Sequence, residues 1–320
     1  MTTVLTRHFQ KKEHLSVKNP EYQRILDELF LFFVRNDHVQ EDITVQTFLP
    51  GDVSGAVKTG VISAKGACVV AGVEEVEYLA RKHTKLTPKA LVRDGKRVAT
   101  GTKIILLAGT AQDVLVYERV FVNILQRMSG IATETARYVE QVNGLNLKKP
   151  PLIAATRKTP WMHIDKKAVA VGGGITHRLN LQDGILLKDN HLDLLQQEFD
   201  LKGEDAAISC AISNAKILNE NIAVEVEVKT EEAAFASVAA WQKLKRKNPF
   251  IILLDNFTPA RAEKIIKKIK KYNKDIFFEA SGGISLENVA KFADVDVDVI
   301  SIGSLTHSPR AVDLSLDLLS

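Results

Sequence analysis

Apolar positions along this chain change their period near residue 116. Before that point helical and strand-like patterns mix. Tyr22, Ile25, Leu26, Leu29, Phe30 and Phe33 recur at helical spacing behind Asn19-Pro20, a capping side chain followed by a proline suited to the first turn. This spacing predicts a helix with one broad apolar face. Segments 53–70 and 90–107 alternate as strands do and are broken by glycines, with a short helix predicted over 74–83 between them. The front of the chain is expected to be α+β in character.

Beyond residue 116, Phe121, Ile124, Leu125 and Met128 lie on one side of a helix predicted over 118–141. Apolar runs then alternate with amphipathic segments. LIAAT, GILL, IAVEVEV, FIILLD, IFFEA and DVISIG read as strands, and 213–219, 231–245, 259–272 and 286–293 as helices. Such alternation predicts a parallel sheet covered by helices. In 263–275 the lysines form a wet face over the buried stripe Ile265, Ile266 and Ile269, so this charge run is solvated exterior.

Polar residues follow nearly every predicted strand. Arg157 and Lys158 follow the first, Lys188 and Asp189 the second, and Asp255-Asn256 the fourth. Ser281-Gly282-Gly283 and Gly303-Ser304 follow the last two. A β/α barrel carries its active site at this C-terminal rim, with a phosphate site often built by the last two loops. In IAVEVEV, Glu225 and Glu227 share the strand face opposite the valines and are expected to point into the barrel, where they need a cation or hydroxyls. A lumen ion pair with Lys188 or Arg178 is the structural alternative. With Asp255 at the same rim, such carboxylates suit Mg²⁺ or a ribose diol. SGGI and SIGS read as a phosphate-binding pair or as two ordinary turns. His307, just beyond, reads as a phosphate donor or a cap for the tail.

Segment 152–192 gathers Arg157, Lys158, His177, Arg178, Lys188 and His191 around Gly172-Gly173-Gly174. The glycines either let backbone approach a ligand or stop a helix between solvated basic loops. Two like charges ~4 Å apart repel by about 4 kcal/mol at an effective dielectric near 20, so cations gathered at one rim call for anions.

Composition adds mainly exclusions. The 320 residues are 45% hydrophobic and 26% charged, ordinary for a globular protein. A net charge of +4 argues against general nucleic-acid affinity, and no apolar run approaches the ~20 residues of a membrane span. Cys68 and Cys210 are too few for a disulfide framework, and MTTVLTRHFQKKEH lacks the apolar core of a secretory signal. A reducing, cytoplasmic setting is expected.

Seven blocks in order, ERVFVNILQRMSGIAT, ATRKT, GGGITHRLNLQDGILLKDNH, VEVEV, LLDNF, EASGGI and SIGSLTHS, resemble the quinolinate phosphoribosyltransferase family, the carboxylating nicotinate-nucleotide pyrophosphorylases of NAD synthesis. The likeness runs from EDIT at 41–44 to the tail. It implies an α/β protein with an N-terminal α/β sandwich over 1–117 and an incomplete, open β/α barrel over 118–320. The tail, 305–320, is a candidate to pack back on the first domain. It implies a homodimer or an assembly of dimers in which Arg119 reaches the partner subunit's site. Arg157, Lys158, His177, Arg178 and Lys188 would bind the quinolinate carboxylates and the pyrophosphate of phosphoribosyl pyrophosphate. Glu227 and Asp255 would contact the ribose hydroxyls and Mg²⁺. Ser281, Gly282, Gly283, Gly303 and His307 would hold the 5′-phosphate, and Lys158, Lys188, Glu227 and Asp255 would carry the chemistry. The chain departs from the family at RKTPWMHI, in place of RKTTPGLR, and at Thr176 and Asn180, in place of asparagine and glycine. That points to an altered aromatic-acid pocket near Trp161. A relative acting on another aromatic acid, as in the molybdenum-transport-associated branch, and a catalytically silent homologue are the alternatives.

Overall fold

The computed structural model describes residues 2–216, 219 and 222–319. Strands β1 (Val57–Ala64), β2 (Cys68–Val69), β3 (Thr87–Ala90), β4 (Arg97–Val98) and β5 (Lys103–Thr110) precede a long helix, Glu118–Asn143. After it come β6 (Leu152–Ala155), β7 (Ile185–Leu187), β8 (Val224–Val228), β9 (Phe250–Asp255), β10 (Ile276–Ser281) and β11 (Val299–Ile302). The last strand is β12 (Leu314–Leu318).

The chain forms two compact units, and neither is one continuous stretch. One contains the residues up to Lys11, Arg137–Lys158 and Ile175–Gly303; the other contains Lys12–Ala136, Thr159–Gly174 and the residues from Ser304 onward. A single cut at 117/118 does not reproduce them. The front of the long helix belongs with the early strands because Val120, Phe121, Ile124, Leu125 and Met128 are all buried there. At Gly130 the tail backbone passes so close that a Cβ would lie 2.0 Å from the Arg310 carbonyl oxygen.

In the second unit β1 is flanked by antiparallel β12 and β5, giving the order β12-β1-β5-β3. The helix predicted behind Asn19 spans Pro20–Asn36; Asn19 accepts from the Glu21 amide at 2.9 Å, and Tyr22, Leu26 and Phe30 are buried. Val73–His83 matches the short helix predicted over 74–83.

The first unit holds a six-stranded parallel sheet in the order β6-β11-β10-β9-β8-β7, the open barrel expected from alternating runs. Its expected helix over 213–219 does not form among the described residues, and Ile217 and Leu218 lie outside them. The helix there is Glu204–Ser213, which buries Ala207, Ile208 and Ile212 and stops at Asn214. Asparagine competes for backbone groups, and the Asn214 amide donates to the Cys210 carbonyl at 3.0 Å.

Candidate functional site

Each strand of the parallel sheet delivers polar residues to its C-terminal end, around a cavity of about 610 Å³ within the first unit. The two-residue period of a strand decides which side chains reach it. On β8, Glu225 and Glu227 line the cavity while Val224, Val226 and Val228 are buried on the other face. Register extends this into layers. Glu225, Ile251 and Phe277 lie abreast across β8, β9 and β10, and Glu227, Leu253, Glu279 and Val299 lie abreast one step nearer the rim.

The deep part is a hydrogen-bonded carboxylate pair held by one histidine. His177 Nε2 lies 3.1 Å from Glu279 Oε2 and 3.5 Å from Glu225 Oε2, and the Ser301 hydroxyl donates to Glu279. Burial, then the neighbouring Glu279 charge, raises the Glu225 dissociation well above the ordinary glutamate value. Glu279 is also pushed up by burial, but His177 and Ser301 outweigh this and hold it below its ordinary value. Burial and mutual repulsion thus favour the acid form at Glu225 and the carboxylate at Glu279. Ligand atoms of the three residues fall within 4.8 Å of one another, the spacing of a metal site. However, His177 Nδ1 accepts the Arg178 amide at 2.9 Å, which leaves the ring proton on Nε2, facing the carboxylates as a donor. Both ring nitrogens are thus engaged within the protein, and the imidazole orients Glu279 from below.

The rim carries a cluster of cations. Arg157, Lys158, Arg178 and Lys188 all line the cavity. Burial, then the like charge of Arg157, lowers the affinity of the Arg178 guanidinium for its proton, so these cations are close enough to strain one another. Lys188 Nζ lies 3.4 Å from Glu227 Oε2. Burial raises the Glu227 dissociation; Lys188 opposes that, and Asp255 adds to it. Asp255 receives the Asn256 amide at 2.8 Å, and Asn256 adopts a left-handed φ of 58°. Gly282, at φ +93°, makes room for it, since a Cβ there would sit 2.3 Å from Asn256 Oδ1.

Ser281, Gly282 and Gly283 line the cavity, so nine of the residues expected at the rim meet there with His177 behind them: Arg157, Lys158, Arg178, Lys188, Glu227, Asp255 and these three. Gly303 does not line it. His307 belongs to the second unit, where it is exposed and its Nδ1 lies 2.6 Å from Ser308 Oγ. Arg119 also lies in the second unit, exposed, paired with Glu118, and lining a pocket of about 330 Å³ with Phe33, Asn36, Asp37, Asn123 and Trp161. Trp161 therefore faces Phe33 and Arg127 and does not line the basic cavity. The triple glycine is likewise absent from it: Gly172 ends the helix His163–Val171, and a Cβ there would lie 2.4 Å from the Ala132 carbonyl. That is the helix-stop reading. His191 is a cap, its Nδ1 accepting the Lys188 amide at 3.0 Å. Glu279 and Ser301 are cavity residues that no strand-end pattern pointed to. Glu279 was visible as a lone carboxylate inside the apolar run IFFEA, a position that requires partners.

Two family models match the chain, "Quinolinate phosphoribosyl transferase, N-terminal domain" over residues 42–129 and the corresponding C-terminal domain over 131–317. A probable nicotinate-nucleotide pyrophosphorylase [carboxylating] of Methanocaldococcus jannaschii is 36% identical over 284 residues, spanning 87% of this chain and 92% of that protein. The nicotinate-nucleotide pyrophosphorylase [carboxylating] of Mycobacterium leprae is 34% identical over 87% of this chain and 91% of its own length. Among solved structures, NadC from Streptococcus pyogenes superposes with a TM-score of 0.75 at 30% identity, over 92% of this chain and 97% of that one. With both domains matched and the basic cavity at the rim of an open parallel barrel, the chain belongs to the quinolinate phosphoribosyltransferase family.

Proposed function

We propose that this chain transfers the phosphoribosyl group of phosphoribosyl pyrophosphate to quinolinate and decarboxylates the product, giving nicotinate mononucleotide, pyrophosphate and carbon dioxide. The observation that carries the reading is the convergence of Arg157, Lys158, Arg178 and Lys188 with Glu227 and Asp255 on one cavity. Four fixed cations there need a set of anions such as two carboxylates and a pyrophosphate.

The quinolinate nitrogen attacks the anomeric carbon as the carbon–oxygen bond to pyrophosphate breaks, and the lysines and arginines stabilise the departing charge. Glu227 and Asp255 face the positive charge that develops on the sugar. The ring nitrogen of the resulting mononucleotide is cationic. Its positive charge stabilises the electron pair left on ring carbon 2 when the 2-carboxylate departs as carbon dioxide, and a proton then bonds to that carbon. No covalent enzyme intermediate is required. Glu227 and Asp255 supply hard oxygen donors at the ends of adjacent strands, and their mutual repulsion suits a shared cation, so these two residues would hold Mg²⁺. Bound there, the ion would neutralise pyrophosphate charge. The glycine turn at Ser281, Gly282 and Gly283 offers backbone amides to the 5′-phosphate.

We further assign a homodimer in which Arg119, remote in sequence from the cavity residues, completes the partner subunit's site. A reducing cytoplasm suits the two free thiols, Cys68 and Cys210. Incubating the purified protein with Mg²⁺, quinolinate and phosphoribosyl pyrophosphate should yield carbon dioxide and nicotinate mononucleotide in equal amounts. Turnover only with a different heteroaromatic acid would move the assignment to another branch of the family.

A further inference from the structure

The first residues of the chain build the floor of the barrel. In the helix Thr2–Phe9, Leu5 and Phe9 are 1% and 3% exposed and pack in one cluster with Ala154, Ile251, Phe277 and Val299 of the strands. Burial of two such apolar side chains is enough to account for the docking alone. Three further contacts go beyond docking. The Phe9 ring stacks on the His177 imidazole, centroids 4.1 Å apart and planes 15° from parallel. The Thr176 hydroxyl donates to the Phe9 carbonyl at 2.8 Å. It also accepts the Lys11 amide at 2.8 Å, and Thr176 is fully buried.

These contacts converge on a backbone that needs support. His177 has a φ of 53°, a left-handed conformation that is unfavourable for a non-glycine residue. The turn decides where the next side chain goes. Arg178 is buried, lines the cavity, and donates from Nη1 to the Gly184 carbonyl at 3.3 Å. A different backbone conformation at His177 would redirect the Arg178 side chain.

The geometry points to Phe9 as a positioning residue for the anion site: by stacking on His177, and with Thr176 gripping the same turn, it aims Arg178 at a carboxylate of the aromatic acid. This assignment of the anion rests on the reading of the site as a quinolinate pocket. Phe9 touches no reacting atom. It acts through His177, which also orients Glu279.

The test uses full-length protein with three substitutions. Phe9→Leu keeps the floor filled but removes the flat ring, Phe9→Tyr keeps the ring, and Thr176→Val removes the hydroxyl at constant volume. Phe9→Leu should raise the KM for quinolinate roughly tenfold while changing the KM for phosphoribosyl pyrophosphate less than about twofold, with a similar melting temperature. Thr176→Val should do the same, and Phe9→Tyr should restore wild-type values. A quinolinate KM within about twofold of wild type in Phe9→Leu would overturn the proposal. So would a parallel rise in both KM values with a lower melting temperature, the mark of a plug only. A second measurement does not depend on the substrate. In ¹⁵N spectra of histidine-labelled protein, His177 should show the well-separated ring signals of the Nε2-protonated tautomer, and Phe9→Leu should collapse that separation. Wild-type protein inactive on quinolinate would remove the substrate reading alone. The spectra would still decide, unchanged His177 signals in Phe9→Leu counting against Phe9 and collapsed signals for it.

Discussion

Lys188 stands between the two kinds of charge at the rim, its ammonium 3.4 Å from Glu227 and 42% exposed. An ion pair this open contributes at most about 1 kcal/mol to stability, so its value lies in chemistry. Lys188→Ala should lower kcat/KM by about 100-fold or more while leaving the melting temperature within a degree or so of wild type; normal turnover would overturn the assignment. Glu75 behaves in the opposite way, being structural and fully buried. Its Oε1 accepts the Tyr22 hydroxyl at 2.9 Å and its Oε2 makes no hydrogen bond among the described residues. Burial, then Asp94, pushes its dissociation from 4.5 to about 7, against the pull of Lys167. Because the folded value is the higher one, the folded state prefers the protonated acid. The contribution is fully present below the unfolded value near 4.5 and is lost as pH rises through about 7. A shift of that size is worth ~3 kcal/mol. Glu75→Gln, which keeps an acceptor for Tyr22, should match wild type in urea melts at pH 5 and exceed its stability by ~2–3 kcal/mol at pH 8.5. At this scale the sequence was informative at most strand ends, Gly303 after β11 being the exception. Arg157, Lys158, Lys188, Asp255 and Ser281 follow apolar runs, and parallel strands point their C-terminal ends one way. Glu279 was missed because it sits inside its run, and Ser301 because a serine in a strand carries no signal of its own.

At the scale of elements, period and punctuation were legible, but the purpose of a glycine was not. VEVEV alternates, and alternation alone puts both glutamates on one face of β8. Asn19-Pro20 starts its helix for local reasons that need no tertiary context. The triple glycine reads equally well as a ligand loop, and only packing shows what it is for. Gly172 lies where a helix end meets the Ala132 carbonyl, with no room for a methyl group. Gly172→Ala should therefore cost ~2–4 kcal/mol of stability, seen as a lower urea midpoint with an unchanged slope, and should leave the KM values of the folded protein near wild type. Gly282→Ala, which crowds Asn256 and so disturbs Asp255, should instead lower turnover more than stability. Equal loss of activity in both variants would contradict this division between a packing glycine and a site glycine.

For the whole molecule, the informative fact is that both compact units draw on distant parts of the chain. β12 joins β1 across more than two hundred and fifty positions of sequence, pairing Gly60 with Leu318. Arg119 and the cavity residues belong to different units, so the role assigned to Arg119 in trans is a claim about assembly. Equal mixing of Arg119→Ala and Lys188→Ala chains, each inactive alone, should restore about a quarter of wild-type activity if subunits of a dimer exchange freely, because half the dimers are mixed and each mixed dimer has one complete site. No recovery after verified exchange would place Arg119 outside the partner's site.

By itself the sequence determined the parallel sheet, its six strands, the alternation that turns Glu225 and Glu227 inward, and the cations and carboxylates at one rim. All of these follow from local periodicity and from chain direction. Tertiary structure alone decided which of those groups are free to meet a substrate. His177 reads in sequence as one more cation for an anion, yet folding spends both of its nitrogens on Arg178 and Glu279 and lays Phe9 against its ring. The physical reason is sequence separation: Phe9, His177 and Glu279 lie in three distant segments, and no pattern within a window of residues can report a contact that only packing creates.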